Sequence, residues 1–138
     1  MNFRLENNQQ ISNTSLLGNY HEITKEFCKE YYSNFNLDHG LLSKYYKDNS
    51  LITFMDHEFT GFNQLNNFLN SQGVYNFKHY KFHVNPQPVN NDGIVIVVNG
   101  FLTLGNSPCL QRFNEVLMLK RDNHNNFYIC QSIFNIVE

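Results

Sequence analysis

The second half of this sequence contains four long β-strand patterns in succession, with almost no helical pattern between them. The series runs from about Tyr75 to Phe134, whereas the first half contains helical patterns and one short strand pair. Helices first and consecutive antiparallel strands afterwards indicate a segregated α+β fold rather than alternating α/β. This order predicts a curved sheet that wraps around helices and presents a concave apolar face to them.

Length and composition predict one folded domain. The chain has 138 residues, of which 41% are hydrophobic and 16% are charged, which suits one core and is too short for two typical domains. We assign residues 1–17, rich in Asn, Gln and Ser, to a flexible N-terminal tail and residues 18–138 to the domain. The net charge of −2 gives no electrostatic reason for direct binding to nucleic acid or to an anionic membrane.

Cysteine usage and the N-terminus predict an intracellular protein. Cys28, Cys109 and Cys130 are odd in number and widely spaced, which is typical of reduced thiols. The N-terminal residues have no apolar segment of the kind that a signal peptide needs, and the longest apolar run, Ile94–Val98, is too short to span a membrane. The six His and three Cys show no metal-ligand spacing, so we expect neither a metal nor a cofactor.

Apolar residues at helical spacing predict three helices in the first half. The first runs from about Asn19 to Phe35, and its apolar stripe recurs every four residues at Ile23, Phe27, Tyr31 and Phe35. The second is short and should turn four residues inward: Leu41, Leu42, Tyr45 and Tyr46. The third begins near Phe62 and ends at Gly73.

Alternating residues and turn signals define the strands. Leu51–Phe54 is a first strand, Met55–Glu58 is a hairpin loop, and Phe59 begins the return strand. In the next strand, Pro86 and Pro88 should end the pairing, because proline cannot donate a ladder hydrogen bond. The inward residues expected in that strand are Tyr80, Phe82 and Val84.

Several short segments occur in an order that characterises one known family. Phe27–Phe35 has the pattern F-x-x-x-Y-Y-x-x-F in the first helix, Phe59–Gly61 has F-x-G before the third, and Ser132–Phe134 ends the last strand. Further segments are Leu42–Tyr46, Ser50–Phe54, Gln87–Pro88, Gly100 and Arg112–Glu115. In this order and spacing they resemble the nuclear transport factor 2 (NTF2) family over about Tyr20–Val137. The resemblance implies a cone of three helices packed in a curved, mostly antiparallel sheet.

The resemblance also implies a transport adaptor rather than an enzyme. Members usually dimerise through the open face of the sheet, and they bind phenylalanine-glycine (FG) repeat segments of nucleoporins in shallow apolar grooves. One branch carries GDP-bound Ran into the nucleus as a homodimer. Another branch is the small subunit of an mRNA export receptor and pairs with a similar domain of a larger protein. Either role implies a location in the nucleus and cytoplasm and at the nuclear pore.

Missing carboxylates favour the export branch over the Ran-carrying branch. The resemblance implies acidic residues where this chain has Gly105–Ser107, Met55 and Ser132, although Asp56 and Glu58 are near one of these positions. Carboxylates facing a partner's lysines and arginines would contribute strongly to such recognition. We therefore rank an export-type cofactor first and a Ran-GDP carrier as its alternative.

The resemblance assigns roles to several residues. Tyr20 stands where family members place an aromatic residue that helps to hold FG segments, although it could simply pack the helix start. Four residues are expected to line the mouth of the cavity, near Asp56, as a socket for a partner's aromatic side chain, although each alone would also suit an ordinary core: Phe54, Phe77, His79 and Phe134. On the open face of the sheet, two alternating sets are candidates for the dimer interface, although the outward set could simply be solvated: Arg112, Asn114 and Val116, and Phe113, Glu115 and Leu117. From these we assign four residues to the interface: Arg112, Asn114, Glu115 and Val116. Arg112 could pair across the interface with Glu115 or with an acid of the partner.

A small enzyme of the same fold is the second alternative, because related cones include isomerases and dehydratases. Such an enzyme needs a carboxylate or histidine within proton-transfer reach of a substrate, with a pKa tuned by burial. Asp56, His57 and His79 are the candidates in this sequence. Asp56 and His57 fall in the predicted hairpin loop, and a histidine such as His79 is more often structural, so we expect no enzyme activity.

Overall fold

The computed structural model describes residues 3–4, 13–74 and 76–137. The elements in chain order are β1 (Phe3–Arg4), α1 (Asn13–Leu37), a 3-10 helix (His39–Tyr45), β2 (Tyr46–Phe54), β3 (His57–Thr60), α2 (Phe62–Ser71), β4 (Phe77–Val89), β5 (Gly93–Leu104), β6 (Gln111–Arg121) and β7 (Asn126–Val137). Within these described residues, no helix has both the length and the apolar character needed to cross a membrane.

The strands form one curved sheet in the order β3-β2-β7-β6-β5-β4, and β1 pairs with β7. The β2–β7 pair is parallel, and the remaining pairs are antiparallel. The predicted α+β class and the four successive strands, β4 to β7, are therefore confirmed. The predicted first residue of that series, Tyr75, lies outside the described residues.

The helices pack on the inner face of the sheet through the predicted apolar stripe of α1. Phe27, Tyr31 and Phe35 are each less than 5% exposed. Helix α1 begins at Asn13 rather than at the predicted Asn19. The boundary between residues 1–17 and the domain stays a prediction, since residues 1–2 and 5–12 lie outside the described part of the chain. One inward assignment was wrong: Leu41 is exposed, because the tight 3-10 turn points it away from the core.

The β2–β3 hairpin has a shorter loop than predicted. Met55 and Asp56 alone form the turn, both with positive φ (50° and 71°), and His57 and Glu58 already belong to β3. Two successive left-handed residues suit the right-handed twist of the paired strands. After β3, Gly61 has a φ of +80°, and a Cβ there would lie 2.9 Å from the carbonyl oxygen of Asp48. Glycine is therefore required where the chain turns into α2.

Strand β4 continues through both prolines, contrary to prediction. Pro86 pairs with Ile96 and Pro88 with Ile94. They are tolerated because β4 is the edge of the sheet, where a strand pairs on one side and needs fewer donors. The inward assignment of Tyr80 was also wrong. A β-bulge between Tyr80 and His83 shifts the alternation, and Tyr80 is 43% exposed on the outer face.

Candidate functional site

The four residues predicted at the mouth of a cavity lie inside the core instead. The exposed fractions of Phe54, Phe77, His79 and Phe134 are 8%, 1%, 6% and 2%. The predicted convergence is correct, since the Phe54 and Phe134 rings stack at 4.7 Å and both have Phe77 edge-on within 6.4 Å. Their placement at an open mouth is wrong, because α1, the 3-10 helix and α2 cover them.

The cavity that Phe54 and Phe134 help to line is nearly filled. Its volume is about 10 Å³, about the space that a single water molecule requires. Side chains from α1, the 3-10 helix and α2 close it, including Tyr31, Leu42 and Leu65. In this conformation the cavity has no room for a partner's aromatic ring or for a metabolite.

Glu115 belongs to the inner face and not to the predicted dimer interface. It is 3% exposed, and its cross-strand neighbours on the sheet are Val98 and Phe134. The Tyr32 hydroxyl donates a 2.7 Å hydrogen bond to its Oε1 atom. Burial among apolar groups raises the pKa of Glu115 to about 7, and the Tyr32 hydrogen bond only partly opposes this rise. The predicted pairing of Glu115 with Arg112 was wrong, because residues three positions apart in a regular strand point to opposite faces.

Tyrosines and one cysteine surround this buried carboxyl group. The Tyr31 and Tyr46 hydroxyls are hydrogen-bonded at 2.7 Å, and burial, reinforced by Glu115, raises the pKa of Tyr46 well above its usual range. Burial raises the pKa of Cys28 to about 12, with a smaller contribution from the nearby Glu115 carboxyl group. These groups therefore stay protonated at neutral pH, and Cys28 lacks the thiolate that a nucleophile needs.

His79 is oriented by α1 and kept neutral by burial. The Asn36 Oδ1 atom accepts hydrogen bonds of 2.8 Å from the His79 backbone N–H and from its Nδ1 atom. Because Oδ1 only accepts, the proton is on Nδ1 and the Nε2 atom is bare. Nε2 is buried without a hydrogen-bond partner among the described residues, and burial lowers the pKa of His79 to about 3. This arrangement positions the ring as part of the core.

Asp56 lies away from this interior, whereas Tyr20 packs against the core cluster while staying partly exposed. Asp56 is exposed at the tip of the β2–β3 turn. Its neighbour Met55 points back to the sheet, where its Sδ atom accepts the Ile136 backbone N–H at 3.0 Å. Tyr20 is half-buried about two turns into α1, with its ring centroid 4.3 Å from that of His21. The structure therefore leaves Asp56 on the surface, apart from the four buried residues, and packs Tyr20 against the core cluster from outside.

The outer face of the sheet carries an uncovered apolar row. Val97 pairs with Val116, and Val116 pairs with Ile133, so these three side chains lie side by side on β5, β6 and β7. Val97 and Ile133 are 38% and 46% exposed. We call these three residues the outer apolar row. A parallel row of amides lies beside it, formed by Asn99, Asn114 and Asn135.

Sequence reasoning placed Asn114, Val116 and Arg112 on this face correctly and missed Val97 and Ile133. The apolar run Ile94–Val98 hid the alternation, because both of its faces carry β-branched residues. Ile133 follows a register shift in β7, and no residue pattern in the sequence predicts that shift. Alternation counted forward from an inward Ile94 places Ile96 inward and Val97 outward. No group of three potential metal ligands occurs in the part of the chain that the structure describes.

Comparisons with known proteins agree with this architecture. The model of the nuclear transport factor 2 (NTF2) domain matches residues 23–136. Nuclear transport factor 2 of Neurospora crassa is 28% identical over 115 residues, which cover 83% of this chain and 93% of that protein. The Schizosaccharomyces pombe protein of the same name is 27% identical over 121 residues, or 87% and 98% of the two chains.

A solved structure shares the fold over a similar length. Nuclear transport factor 2 from Cryptosporidium parvum superposes with a TM-score of 0.77 at 24% identity, covering 86% of this chain and 95% of that one. The family model spans both ends of the described domain, from the first apolar residue of the α1 stripe to the last strand. The chain therefore belongs to the nuclear transport factor 2 (NTF2) domain family.

Proposed function

We propose that the protein is a nucleocytoplasmic transport adaptor that acts as a dimer and binds FG-repeat nucleoporins, most closely as the small subunit of an mRNA export receptor. The observation that carries this proposal is the outer apolar row on a sheet whose inner face is already filled. Relatives named nuclear transport factor 2 support the transport role. The proposal implies a location in the nucleus and cytoplasm and at the nuclear pore.

Dimerisation is supported by the continuity of the outer face. The outer apolar row crosses three central strands. Val95 and Met118 extend the apolar surface beside it, since they pair directly on β5 and β6 and are both partly buried. An uncovered apolar surface of this kind is a liability in a lone chain and is typical of protein interfaces. Arg112 and Asn114 flank the row and supply polar groups for the rim of such an interface.

A dimer test compares two exposed apolar residues. Ile133→Glu places a charge in the outer apolar row, whereas Leu41→Glu places the same charge on the 3-10 helix, away from the sheet. Sedimentation velocity of the isolated protein, and of the protein mixed with the NTF2-like domain of a larger export receptor, measures both partnerships. We expect Ile133→Glu to abolish association and Leu41→Glu to preserve it. Equal behaviour of the two variants would contradict the sheet-face dimer.

The charge pattern supports the export role over Ran transport. Ser132 is 4% exposed within the core, and Met55 is engaged with Ile136, so neither position presents a charge to a partner. The described part of the β5–β6 loop, Gly105–Leu110, contains no carboxylate. A partner that offers lysines and arginines would find few acids here beyond the exposed Asp56 and Glu58.

A Ran-GDP carrier is the second candidate, favoured by the relatives' shared name. A pull-down with purified GDP-loaded Ran separates the two roles. Under the export proposal, Ran-GDP is not retained, whereas the export receptor domain is. Retention of Ran-GDP that is lost in Asp56→Ala, and kept in Asp92→Ala at the far β4–β5 turn, would reverse the ranking.

FG binding is assigned to the surroundings of Tyr20. Its half-buried ring lies about two turns into α1, and a phenylalanine side chain buried against it would contribute about 1.5–3 kcal/mol of transfer free energy. We expect Tyr20→Ala to weaken the binding of an FG-repeat peptide in fluorescence anisotropy. Tyr128→Ala removes an equal ring from β7 and should leave the binding of the FG-repeat peptide unchanged. Unchanged binding in Tyr20→Ala would reassign the FG site.

The enzyme alternative has weaker support. The residues that could transfer protons, His79 and Glu115, lie in a core whose cavity has a volume of about 10 Å³. His79 uses its Nδ1 proton on Asn36, and Asp56 is solvated on a turn. A substrate screen tests it, and turnover that is lost in His79→Ala would establish the enzyme alternative.

A further inference from the structure

A second surface, distinct from the outer apolar row, lies at the corner of the sheet where β4, β5 and the β5–β6 loop meet. It is a cleft of about 660 Å³. Its floor is the cross-strand pair Tyr80 and Phe101, and its far wall is the loop that includes Pro108 and Leu110. Tyr80 and Leu110 are 43% and 58% exposed, so the cleft offers an open apolar surface. We call it the corner cleft.

Every charged side chain that lines the corner cleft is cationic. Lys78 and Lys81 stand on its β4 side, and no carboxylate of the described residues lines it. An adjoining depression of about 500 Å³ shares Lys81 and Phe101 and adds His83 and Arg112. The combined surface is therefore basic on a protein whose net charge is −2. Such local asymmetry selects partners by the sign of their charge.

A strained bulge creates this arrangement. Lys81 has a φ of +44°, a left-handed conformation that is unfavourable for a residue with a side chain. The bulge places Tyr80 and Lys81 in succession on the outer side, where regular alternation would turn one of them inward. A Cβ at Gly100 would lie 2.6 Å from the Phe82 Cβ atom, so a glycine opposite the bulge lets β4 approach β5 there.

The opposite wall is also fixed by the backbone. The Gly105 N–H donates to the Asn76 carbonyl oxygen at 2.7 Å, and the Ser107 N–H donates to the Leu104 carbonyl oxygen at 3.1 Å. Gly105 has a φ of +58°, and a Cβ there would meet no atom within 4 Å, so its role is conformational. The corner cleft is therefore built by two special backbone positions, one on each side, rather than by flexible surface lysines alone.

We propose that the corner cleft binds an acidic peptide segment of a partner protein, with an aromatic or aliphatic side chain of that segment on Tyr80 and Phe101 and its carboxylates on Lys78 and Lys81. The apolar floor accounts for the anchor, and the charges account for the acids. Single-stranded nucleic acid would also match lysines and aromatic rings. The peptide is favoured because the net charge of the protein is negative and the cleft is a compact pocket, not a long basic groove.

The binding test uses three short fluorescein-labelled peptides and fluorescence anisotropy. The first has Asp and Glu residues around one Phe, the second replaces the acids with Asn and Gln, and the third replaces Phe with Ser. We expect only the first to bind well, and its affinity should fall as salt is added. Binding of the neutral peptide as tightly as the acidic one would overturn the proposal and indicate an FG-type groove instead.

Matched charge reversals locate the site. We expect Lys78→Glu/Lys81→Glu to weaken binding by about tenfold or more, whereas Lys25→Glu/Lys29→Glu, on the exposed face of α1, changes it by less than about twofold. Lys81→Gly supplies a variant that should not lose stability, because glycine relieves the left-handed strain while the charge is removed. If Lys81→Gly binds the peptide more weakly while its unfolding temperature is unchanged or higher, the loss comes from recognition and not from misfolding, as the proposal requires.

Two other occupants are outcomes of the same experiments. A labelled oligothymidylate that outcompetes the acidic peptide would make the corner cleft a nucleic-acid site and overturn the proposal. If the Lys78→Glu/Lys81→Glu variant fails to self-associate in sedimentation velocity and the acidic peptide does not bind the original protein, the occupant is a second copy. These results are independent of the FG proposal, because Tyr20→Ala should leave the binding of the acidic peptide unchanged.

Discussion

The two faces of strands β6 and β7 differ although they alternate residue by residue along the same backbone. Inward residues such as Phe113, Glu115 and Phe134 are at most 3% exposed and contact helices or one another. Outward residues such as Arg112, Asn114 and Ile133 face solvent in the described chain. Among the described residues, a helical layer covers the inner face and no helix covers the outer one. The inner face therefore determines the fold, and the outer face stays accessible.

The polar groups on the two faces follow the same division. On the inner face, Glu115 has its own donor in Tyr32, and His79 has its own acceptor in Asn36. On the outer face, Arg112, Lys78 and Lys81 line open depressions. Buried polar groups need hydrogen-bond partners within the chain, whereas exposed ones can bind water or a partner molecule. This difference explains why the titratable core residues are poor candidates for recognition.

Substitution of neighbouring residues on β7 should produce the largest contrast between the faces. We expect Phe134→Ala to reduce the free energy of unfolding by about 3–5 kcal/mol, because its ring stacks on Phe54 and leaves a cavity. Ile133→Ala, one residue away and 46% exposed, should cost less than about 1 kcal/mol. Urea denaturation at several protein concentrations measures both losses. A loss at Ile133 that grows with protein concentration would indicate that a second subunit covers it.

The buried carboxyl group predicts a pH dependence that only the inner face produces. The pKa of Glu115 is raised to about 7 in the folded state from 4.5, so the folded state keeps a proton that the unfolded state loses. Its contribution to stability is therefore present below pH 4.5 and is lost as the pH rises through about 7. Relative to Glu115→Gln, the original protein should lose roughly 3 kcal/mol across this interval.

The control for this prediction is the neighbouring residue on the outer face. Asn114→Asp introduces a carboxylate that water can reach, and it should change the pH dependence by less than about 1 kcal/mol. His79 acts in the opposite direction, since burial lowers its pKa from 6.5 to about 3 and stability is lost as the pH falls across that interval. A Glu115→Gln variant with the pH profile of the original protein would refute the buried-carboxylate account.

The sequence predicted the inner face of the fold well and the outer face less well. The spacing of Phe27, Tyr31 and Phe35 placed the α1 stripe correctly, because helical periodicity reports burial directly. The alternation in β4 failed at Tyr80, because the bulge after it depends on the tertiary fit of Phe82 over Gly100. Pro86 and Pro88 were misread because an edge position is a property of the whole sheet.

The candidate site was predicted in its composition but not in its accessibility. Phe54, Phe77 and Phe134 converge as expected, yet their burial depends on how closely the helices approach the sheet, which no local pattern specifies. Glu115 was assigned to the dimer interface together with Arg112, Asn114 and Val116, although it alternates with them along β6, because the sequence shows no partner that would keep a glutamate buried. That partner, Tyr32, is 83 residues away in the sequence and could not be recognised from spacing.

The smallest expected effect comes from an outer-face contact at the other end of the sheet. The Lys47 Nζ atom lies 4.2 Å from the Tyr128 ring centroid and 3.6 Å from the Asp122 Oδ2 atom, with 42% of its side chain exposed. We expect Lys47→Met to cost about 0.5–1 kcal/mol in urea denaturation, and less at high salt, because both attractions are screened by water and ions. Lys25→Met, on the exposed face of α1, is the control. A cost at Lys47 that approaches that of Phe134→Ala would mean that outer-face contacts also determine the fold, and the division between the two faces would then fail.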